Sequence, residues 1–189
     1  MRLWTIQPVE VLDIINNTGK FACDISQSEY YEDFKEAYLW MVSEMDKRGI
    51  LHPEGLQLPL WAWHTRDWKH KKPDLRESGL GYKGEKSVCI EFEIDDNAVL
   101  LSDFDNWHGV LNKWWINDSK SEVEWDKLQE WYDKQPHDVQ NKLMVESWQK
   151  IFDIEPEENE WYSKGRYVQG TFWELRKEMM REVRCFMAR

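Results

Sequence analysis

The sequence has few cysteines, few basic residues and no long apolar runs, and each shortage excludes a class of protein. The three cysteines, Cys23, Cys89 and Cys185, form no CxxC pair, so neither a disulfide framework nor a zinc site is expected. Their low number favours a reducing compartment. No apolar run approaches the length of a membrane-spanning helix, and no signal peptide precedes the first apolar segment. We therefore predict a cytoplasmic protein with no membrane contact.

Basic residues are outnumbered, with 25 Lys and Arg against 36 Asp and Glu and a formal net charge of -11. A surface this acidic repels the phosphates of duplex DNA, so broad duplex binding is not expected. Two kinds of partner remain open. A local basic patch could hold a nucleotide-like small molecule, and the acidic surface could contact a basic protein.

The chain is nonetheless rich in apolar residues, and 13 of its 189 residues are tryptophan. This length and balance suit one domain spanning residues 1–189. Two amphipathic stretches, residues 121–135 and 138–152, are predicted helices and indicate a helical insertion at about residues 113–155. Alternating segments elsewhere predict an α+β fold, with a mixed or antiparallel sheet of about five to six strands and packed helices.

Periodicity places the other main elements. Residues 3–7, 87–94 and 167–175 read as strands, and the second of these alternates apolar and polar side chains most clearly. Residues 30–49 have a helical apolar stripe that closes at a glycine. Residues 177–183 are predicted to form a short helix.

The stretch 58–76 combines aromatic and basic side chains. It begins as a strand that carries Trp61 and Trp63, and it continues into a loop with Trp68, Arg66 and Arg76. Cations beside aromatic planes suit a ligand that has phosphates and a planar base. The alternative is a core strand with buried tryptophans, followed by a solvated loop.

Two further strands carry polar candidates. The first strand is predicted to place Trp4 and Thr5 at a cleft, or else to be an ordinary edge strand. In the last long strand Gln169 shares a face with other polar and aromatic residues, and Glu174 lies on the other face unless Gly170 hosts a bulge. A glycine inside a strand also suits close approach of a ligand. The residues Asp103, Asp105 and His108 match no metal-binding motif, so we predict no metal site.

Several motifs resemble those of an uncharacterised family of small bacterial proteins, and they span nearly the whole chain. This resemblance implies no particular chemistry. The motifs are LWTIQP at residues 3–8, WAW at 61–63, PDLR at 73–76, LLSDFDxWH at 100–108 and QxTFWE at 169–174.

The sequence predicts a first strand at the amino terminus, a short helix that ends near a glycine, a middle tryptophan strand, a charged alternating strand and a late strand with Gln and Glu. This order of elements resembles, more weakly, that of ADP-ribosyltransferase-like folds. The resemblance implies NAD as cofactor, and Glu174 with Gln169 as catalytic residues. The first-strand position that touches NAD in such folds would hold Thr5 or Arg2.

On this hypothesis the negative charge of Glu174 would favour an oxocarbenium-like transition state. Trp61 or Trp63 would stack on a base, Arg66 and Arg76 would hold the pyrophosphate, and Trp4 and Thr5 would complete the nucleotide site. Two alternatives stay open. One is a non-catalytic module that binds a nucleotide or single-stranded nucleic acid, and the other is an acidic protein-interaction module. The sequence alone therefore leaves open whether the protein is an enzyme.

Overall fold

A computed structural model describes residues 1–27 and 31–189. These residues form an α+β fold with a six-stranded sheet, two two-stranded sheets and five α-helices, which confirms the predicted fold class. The strands are β1 (Arg2–Pro8), β2 (Lys20–Ala22), β3 (Leu60–Arg66), β4 (Lys86–Glu93), β5 (Leu100–Asp103), β6 (Glu157–Glu158), β7 (Ser163–Lys164), β8 (Tyr167–Phe172), β9 (Glu174–Arg176) and β10 (Met180–Met187). The helices are α1 (Glu10–Thr18), α2 (Tyr31–Lys47), α3 (Phe104–Leu111), α4 (Glu122–Asp133) and α5 (His137–Ser147).

The large sheet is antiparallel throughout, in the order β10-β4-β1-β3-β8-β5. The tryptophan strand β3 lies near its centre, between β1 and β8. Trp63 is opposite Trp4 on one side and Gln169 on the other. The strands that the sequence analysis singled out are therefore neighbours in space.

One face of the sheet packs against α1. Leu60 and Ala62 of β3 point to this face and belong to a buried cluster with Leu3. Helix α1 adds Val11 and Ile15, which are 5% and 1% exposed. Burial of its apolar stripe stabilises this short helix more than intrinsic propensity does.

The opposite face is covered by α2, α3 and a 3₁₀ turn, Trp148–Phe152. Met41 and Met45 of α2 are fully buried there, together with Trp107 of α3 and Trp148. Trp61 points to this side, because it alternates with Leu60 and Ala62 along β3. The sheet thus separates two hydrophobic clusters.

Gly170 lies in an unbroken part of β8, opposite Ala62 on one side and Leu101 on the other. A Cβ atom built at Gly170 would lie 2.8 Å from Cγ2 of Val99 and 3.2 Å from Cδ1 of Leu3. The glycine therefore permits a close approach within the protein, by the segment that precedes β5. The irregularity in register lies instead in β3, between Trp63 and Thr65.

Most predicted elements agree with the structure. The strands predicted at residues 3–7 and 87–94 are β1 and β4, and Val88, Ile90 and Phe92 of β4 are fully buried. The predicted helix 30–49 corresponds to α2, although residue 30 lies outside the described part of the chain. Helices α4 and α5 lie in the range predicted as an insertion. That range and the single domain both stay predictions.

The sequence prediction is wrong near the carboxyl end. Residues 167–175 form two strands, because the chain leaves the large sheet after Phe172 and β9 pairs with β2 instead. Residues 177–183 do not form an α-helix. A 3₁₀ turn, Lys177–Met179, leads directly into β10, which pairs with β4. Strand pairing has overridden the local helical pattern.

No helix in residues 1–27 and 31–189 combines the length and the apolar character that crossing a membrane requires.

Candidate functional site

A cavity of about 1110 Å³ opens between the start of β1, the segment after β4, the loop after α2 and residues 173–181. Ligand pockets commonly measure roughly 300–1,000 Å³, so this open space is somewhat larger than a typical one. Its lining includes aromatic, cationic and carboxylate side chains: Trp4, Trp173, His70, Arg2, Arg176, Arg181, Glu93, Asp95, Glu174 and Glu178.

Glu174 is held at the cavity by β9. Leu175 is fully buried in the first cluster, so the alternation of the strand turns Glu174 and Arg176 to the other side. The Glu174 carboxylate accepts hydrogen bonds from Lys20 Nζ at 2.5 Å and from Arg176 at 3.2 Å, and its side chain is 10% exposed. The hydrogen bond from Lys20 is the main reason that the pKa of Glu174 is lowered. The group therefore carries a negative charge at neutral pH.

Three guanidinium groups line the same cavity, and all remain accessible. The side chains of Arg2, Arg176 and Arg181 are 52%, 56% and 44% exposed. Each is already paired with a carboxylate of the cavity. Arg176 contacts Glu174 at 3.2 Å, and Arg2 and Arg181 both contact Glu93, at 3.6 and 3.0 Å. Guanidinium groups bind phosphate oxygens as planar forks. The rim can therefore receive an anionic ligand by exchanging these surface ion pairs.

Trp4 is also one of the residues that line the cavity. Its Nε1 donates to Glu91 at 2.9 Å, and the residue is 5% exposed. The His70 ring meets Trp4 edge to face, with centroids 5.2 Å apart, and stacks on His64 at 4.3 Å. Burial, followed by the neighbouring His70, lowers the pKa of His64 to about 4. His64 is therefore largely neutral at neutral pH, and it supports from behind the His70 ring that lines the cavity.

The tryptophans of β3 do not line this cavity. Trp61 packs on Trp107 with centroids 4.9 Å apart, and Trp63 packs on Phe104 at 4.8 Å. The Arg66 guanidinium lies 4.5 Å from the centre of the Trp63 ring and forms an ion pair with Glu77. These side chains connect the sheet to α3 and to the following loop.

The remaining predicted site residues also lie elsewhere. Thr5 is fully buried and donates to the Trp61 carbonyl at 2.9 Å. Gln169 is 6% exposed, and its amide nitrogen has no hydrogen-bond partner in the described part of the chain. Arg76 is 79% exposed and pairs with Asp74 at 2.6 Å. Of the residues predicted from the sequence, the structure thus brings Trp4, Glu174 and Arg2, the alternative to Thr5 in the first strand, to one cavity.

Sequence reasoning did not assign His70, Arg176 or Arg181 to a site. Arg176 carries a usable signal, because it lies two residues after Glu174 and shares its side of the strand. Arg181 falls within residues 177–183, which the sequence predicts as a helix, so the side of the protein to which its side chain points does not follow from the sequence. His70 lies in the basic loop, but only the fold brings it against Trp4.

The amino-acid sequence matches the model of a family described as a domain of unknown function, DUF3841, over residues 2–181. No curated protein and no solved structure matches the chain.

Proposed function

Since the chain belongs to the DUF3841 family, whose description names no activity, we propose a function from the cavity beside Glu174. The protein binds NAD or a related nucleotide there and acts as an ADP-ribosyltransferase-like enzyme. The proposal retains Glu174 and Trp4 from the sequence hypothesis. It takes the phosphate-binding arginines from β1, β9 and β10 rather than from the loop after β3.

One observation carries the proposal: an ionised, largely buried carboxylate shares a cavity with three accessible guanidinium groups. Arg2, Arg176 and Arg181 supply the cations that a pyrophosphate needs, and Glu174 supplies a fixed negative charge among them. Such a combination suits a ligand that is anionic at its phosphates and becomes cationic at a sugar.

The side chains would act as follows. The arginines at the rim bind the phosphates and fix the ribose beside Glu174. The carboxylate has lone pairs beyond those used by Lys20 and Arg176, so it can accept a hydrogen bond from a ribose hydroxyl. When the glycosidic bond breaks, nicotinamide leaves with the bonding electron pair, and the charge of Glu174 stabilises the cationic ribose. An acceptor nucleophile then bonds to the anomeric carbon and releases its proton to solvent.

The test combines calorimetric titration with NAD and measurement of released nicotinamide. Wild-type protein should bind NAD and release nicotinamide. Glu174→Gln should lower the release rate by about 10²- to 10³-fold, because a preorganised charge is lost in the transition state. NAD affinity should change by less than about threefold, since the arginines that hold the phosphates remain.

Glu178→Gln is the matched control, because Glu178 also lines the cavity and the substitution is the same. It should leave nicotinamide release near the wild-type rate. If NAD binds but neither the wild-type protein nor the Glu178→Gln variant releases nicotinamide, the non-catalytic nucleotide-binding alternative is correct. If millimolar NAD gives no heat and no fluorescence change, the nucleotide proposal is wrong.

A further inference from the structure

A second cavity, of about 560 Å³, lies at the far side of α3. Its walls are the segment 114–120, the first turn of α3, the start of α4 and the small β6–β7 sheet. It shares no lining residue with the cavity beside Glu174. Any ligand bound here is therefore independent of the function proposed above.

The walls of this second cavity are aromatic. Trp114, Trp125 and Trp161 line it while 60%, 40% and 42% exposed, and Trp115 and Tyr162 complete the lining. Indole groups of this size are normally buried to a greater extent. Several half-exposed tryptophans around one hollow indicate a binding surface.

The basic side chains of the second cavity are already paired. Lys120 Nζ lies 3.1 Å from Glu157, and Lys150 Nζ lies 2.8 Å from Asp118. Lys164 Nζ is 2.6 Å from Asp153. Three cations and three carboxylates thus neutralise one another, and no arginine lines the space.

Two further carboxylates form no ion pair within residues 1–27 and 31–189. Asp103 is 1% exposed and accepts the backbone N–H groups of Asn106 at 2.8 Å and Gly165 at 2.7 Å. Asp105 accepts no hydrogen bond at its carboxylate in the described part of the chain, and His108 and Arg166 act on it at longer range. Desolvation raises the pKa of both carboxyl groups, and His108 and Arg166 partly oppose this for Asp105. The cavity therefore has an excess of two acidic groups facing aromatic walls.

We propose that this second cavity binds an organic cation, either an alkylated ammonium or a guanidinium group, with its charge against Asp105 and its body against the indoles of Trp114, Trp125 and Trp161. Tryptophan attracts cations most strongly among the aromatic side chains, and the attraction grows where water is excluded. The unpaired charge of Asp105 separates this site from a sugar-binding surface, because a neutral sugar would leave that charge uncompensated. The formal net charge of -11 also draws cations toward the protein.

The test is isothermal titration with choline and with 3,3-dimethylbutan-1-ol, the neutral carbon analogue of choline. Choline should bind saturably at one site, and the neutral analogue should bind at least about tenfold more weakly, because cation–π and ion-pair attraction act on the charge alone. A second arm compares N-acetylarginine amide with an arginine flanked by glycines in a short peptide. If the peptide binds more tightly than both N-acetylarginine amide and choline, a partner chain supplies the cation. If choline binds more tightly than both arginine ligands, the cation is a free small molecule.

Substitutions test whether the heat measured in the titration comes from binding in the second cavity. Asp105→Asn and Trp161→Ala should each weaken choline binding by about tenfold. Asp126→Asn is the matched control for charge, since Asp126 is an exposed residue of α4 outside the lining. It should leave the affinity within about twofold of wild type. Circular dichroism melting of each variant shows that the fold is retained.

Three outcomes would overturn the proposal. The neutral analogue could bind as tightly as choline, Asp126→Asn could weaken binding as much as Asp105→Asn does, or no cation could bind below about 10 mM. Saturable binding of a neutral sugar that Asp105→Asn does not affect would identify the second cavity as a carbohydrate site instead.

Discussion

At the scale of single residues, position 170 requires a glycine because a neighbouring side chain leaves no room for a Cβ atom, and not because of its backbone conformation. We predict that Gly170→Ala lowers the free energy of unfolding by about 1–3 kcal/mol, since its Cβ would meet Val99 Cγ2 at 2.8 Å in a packed cluster. The lower entropy of alanine in the unfolded chain offsets a few tenths of this loss. Urea denaturation measures the change.

The double variant Gly170→Ala/Val99→Ala provides the control for this prediction. Removal of the Val99 methyl groups opens the space that the new Cβ needs. The two substitutions together should therefore destabilise the protein less than the sum of their separate effects. Simple additivity would mean that the clash does not explain the glycine.

His64 is the second residue with a measurable consequence. Its pKa is about 4 in the folded protein and near 6.5 in an unfolded chain. Between these values the unfolded state binds more protons, so the free energy of unfolding falls as the pH falls below about 6.5, and the loss levels off below about 4. Because the imidazole is only partly buried, we expect a loss of about 1–2 kcal/mol.

Comparison of variants separates the contribution of His64 to the pH dependence of stability from that of the carboxylates, which also titrate in this pH range. The difference in unfolding free energy between pH 7 and pH 4.5, measured with urea, should be smaller for His64→Gln than for wild type. His137→Gln removes an exposed histidine from the start of α5 and should keep the wild-type difference. Equal pH dependence in all three proteins would contradict the role assigned to His64.

At the scale of elements, the start of α3 depends on one buried carboxylate. Asp103 accepts the Asn106 N–H as the N-cap of the helix and also accepts the Gly165 N–H. Asp103→Ala should cost about 2–4 kcal/mol, because it removes the cap and leaves a buried N–H unsatisfied. Ser121→Ala removes the cap of α4, which is exposed, and should cost about 1 kcal/mol or less. Urea denaturation of both variants gives the comparison.

The elements also show which parts of the fold could be predicted from the sequence. Alternation identified β4 because Val88, Ile90 and Phe92 are buried on one face, and this period is local information. The break after Phe172 and the strand at Met180–Met187 depend on distant partners, β2 and β4. No local pattern records such pairing.

The same distinction applies to the cavity beside Glu174. Trp4 and Glu174 could be selected from the sequence, since each is a chemically distinctive residue in a predicted strand. Arg66 and Arg76 looked equally suitable, but Glu77 and Asp74 hold them in their own loop. Arg176 reaches Glu174 along the same strand, but Lys20 contacts Glu174 only because β2 pairs with β9, and Arg181 lines the cavity only because β10 pairs with β4. These two depend on tertiary structure.

At the scale of the whole molecule, the two hydrophobic clusters lie on opposite faces of one sheet. Loss of either cluster exposes strands that the other cluster needs, so we predict one cooperative unfolding transition. Tryptophan fluorescence reports the surroundings of the indoles, among them the buried Trp107, Trp148 and Trp173 of one cluster, and far-ultraviolet circular dichroism reports all secondary structure. The two urea midpoints should coincide. Separate midpoints would contradict the single domain predicted for residues 1–189.

The strand order has a consequence during synthesis on the ribosome. β4 lies between β1, which precedes it in the chain, and β10, which follows it after all five of the intervening strands and three helices. One edge of β3 likewise stays unpaired until its partner β8 has been synthesised. A nascent chain therefore exposes unpaired strand edges until β8 and β10 have been synthesised, and such edges are the surfaces that chaperones protect.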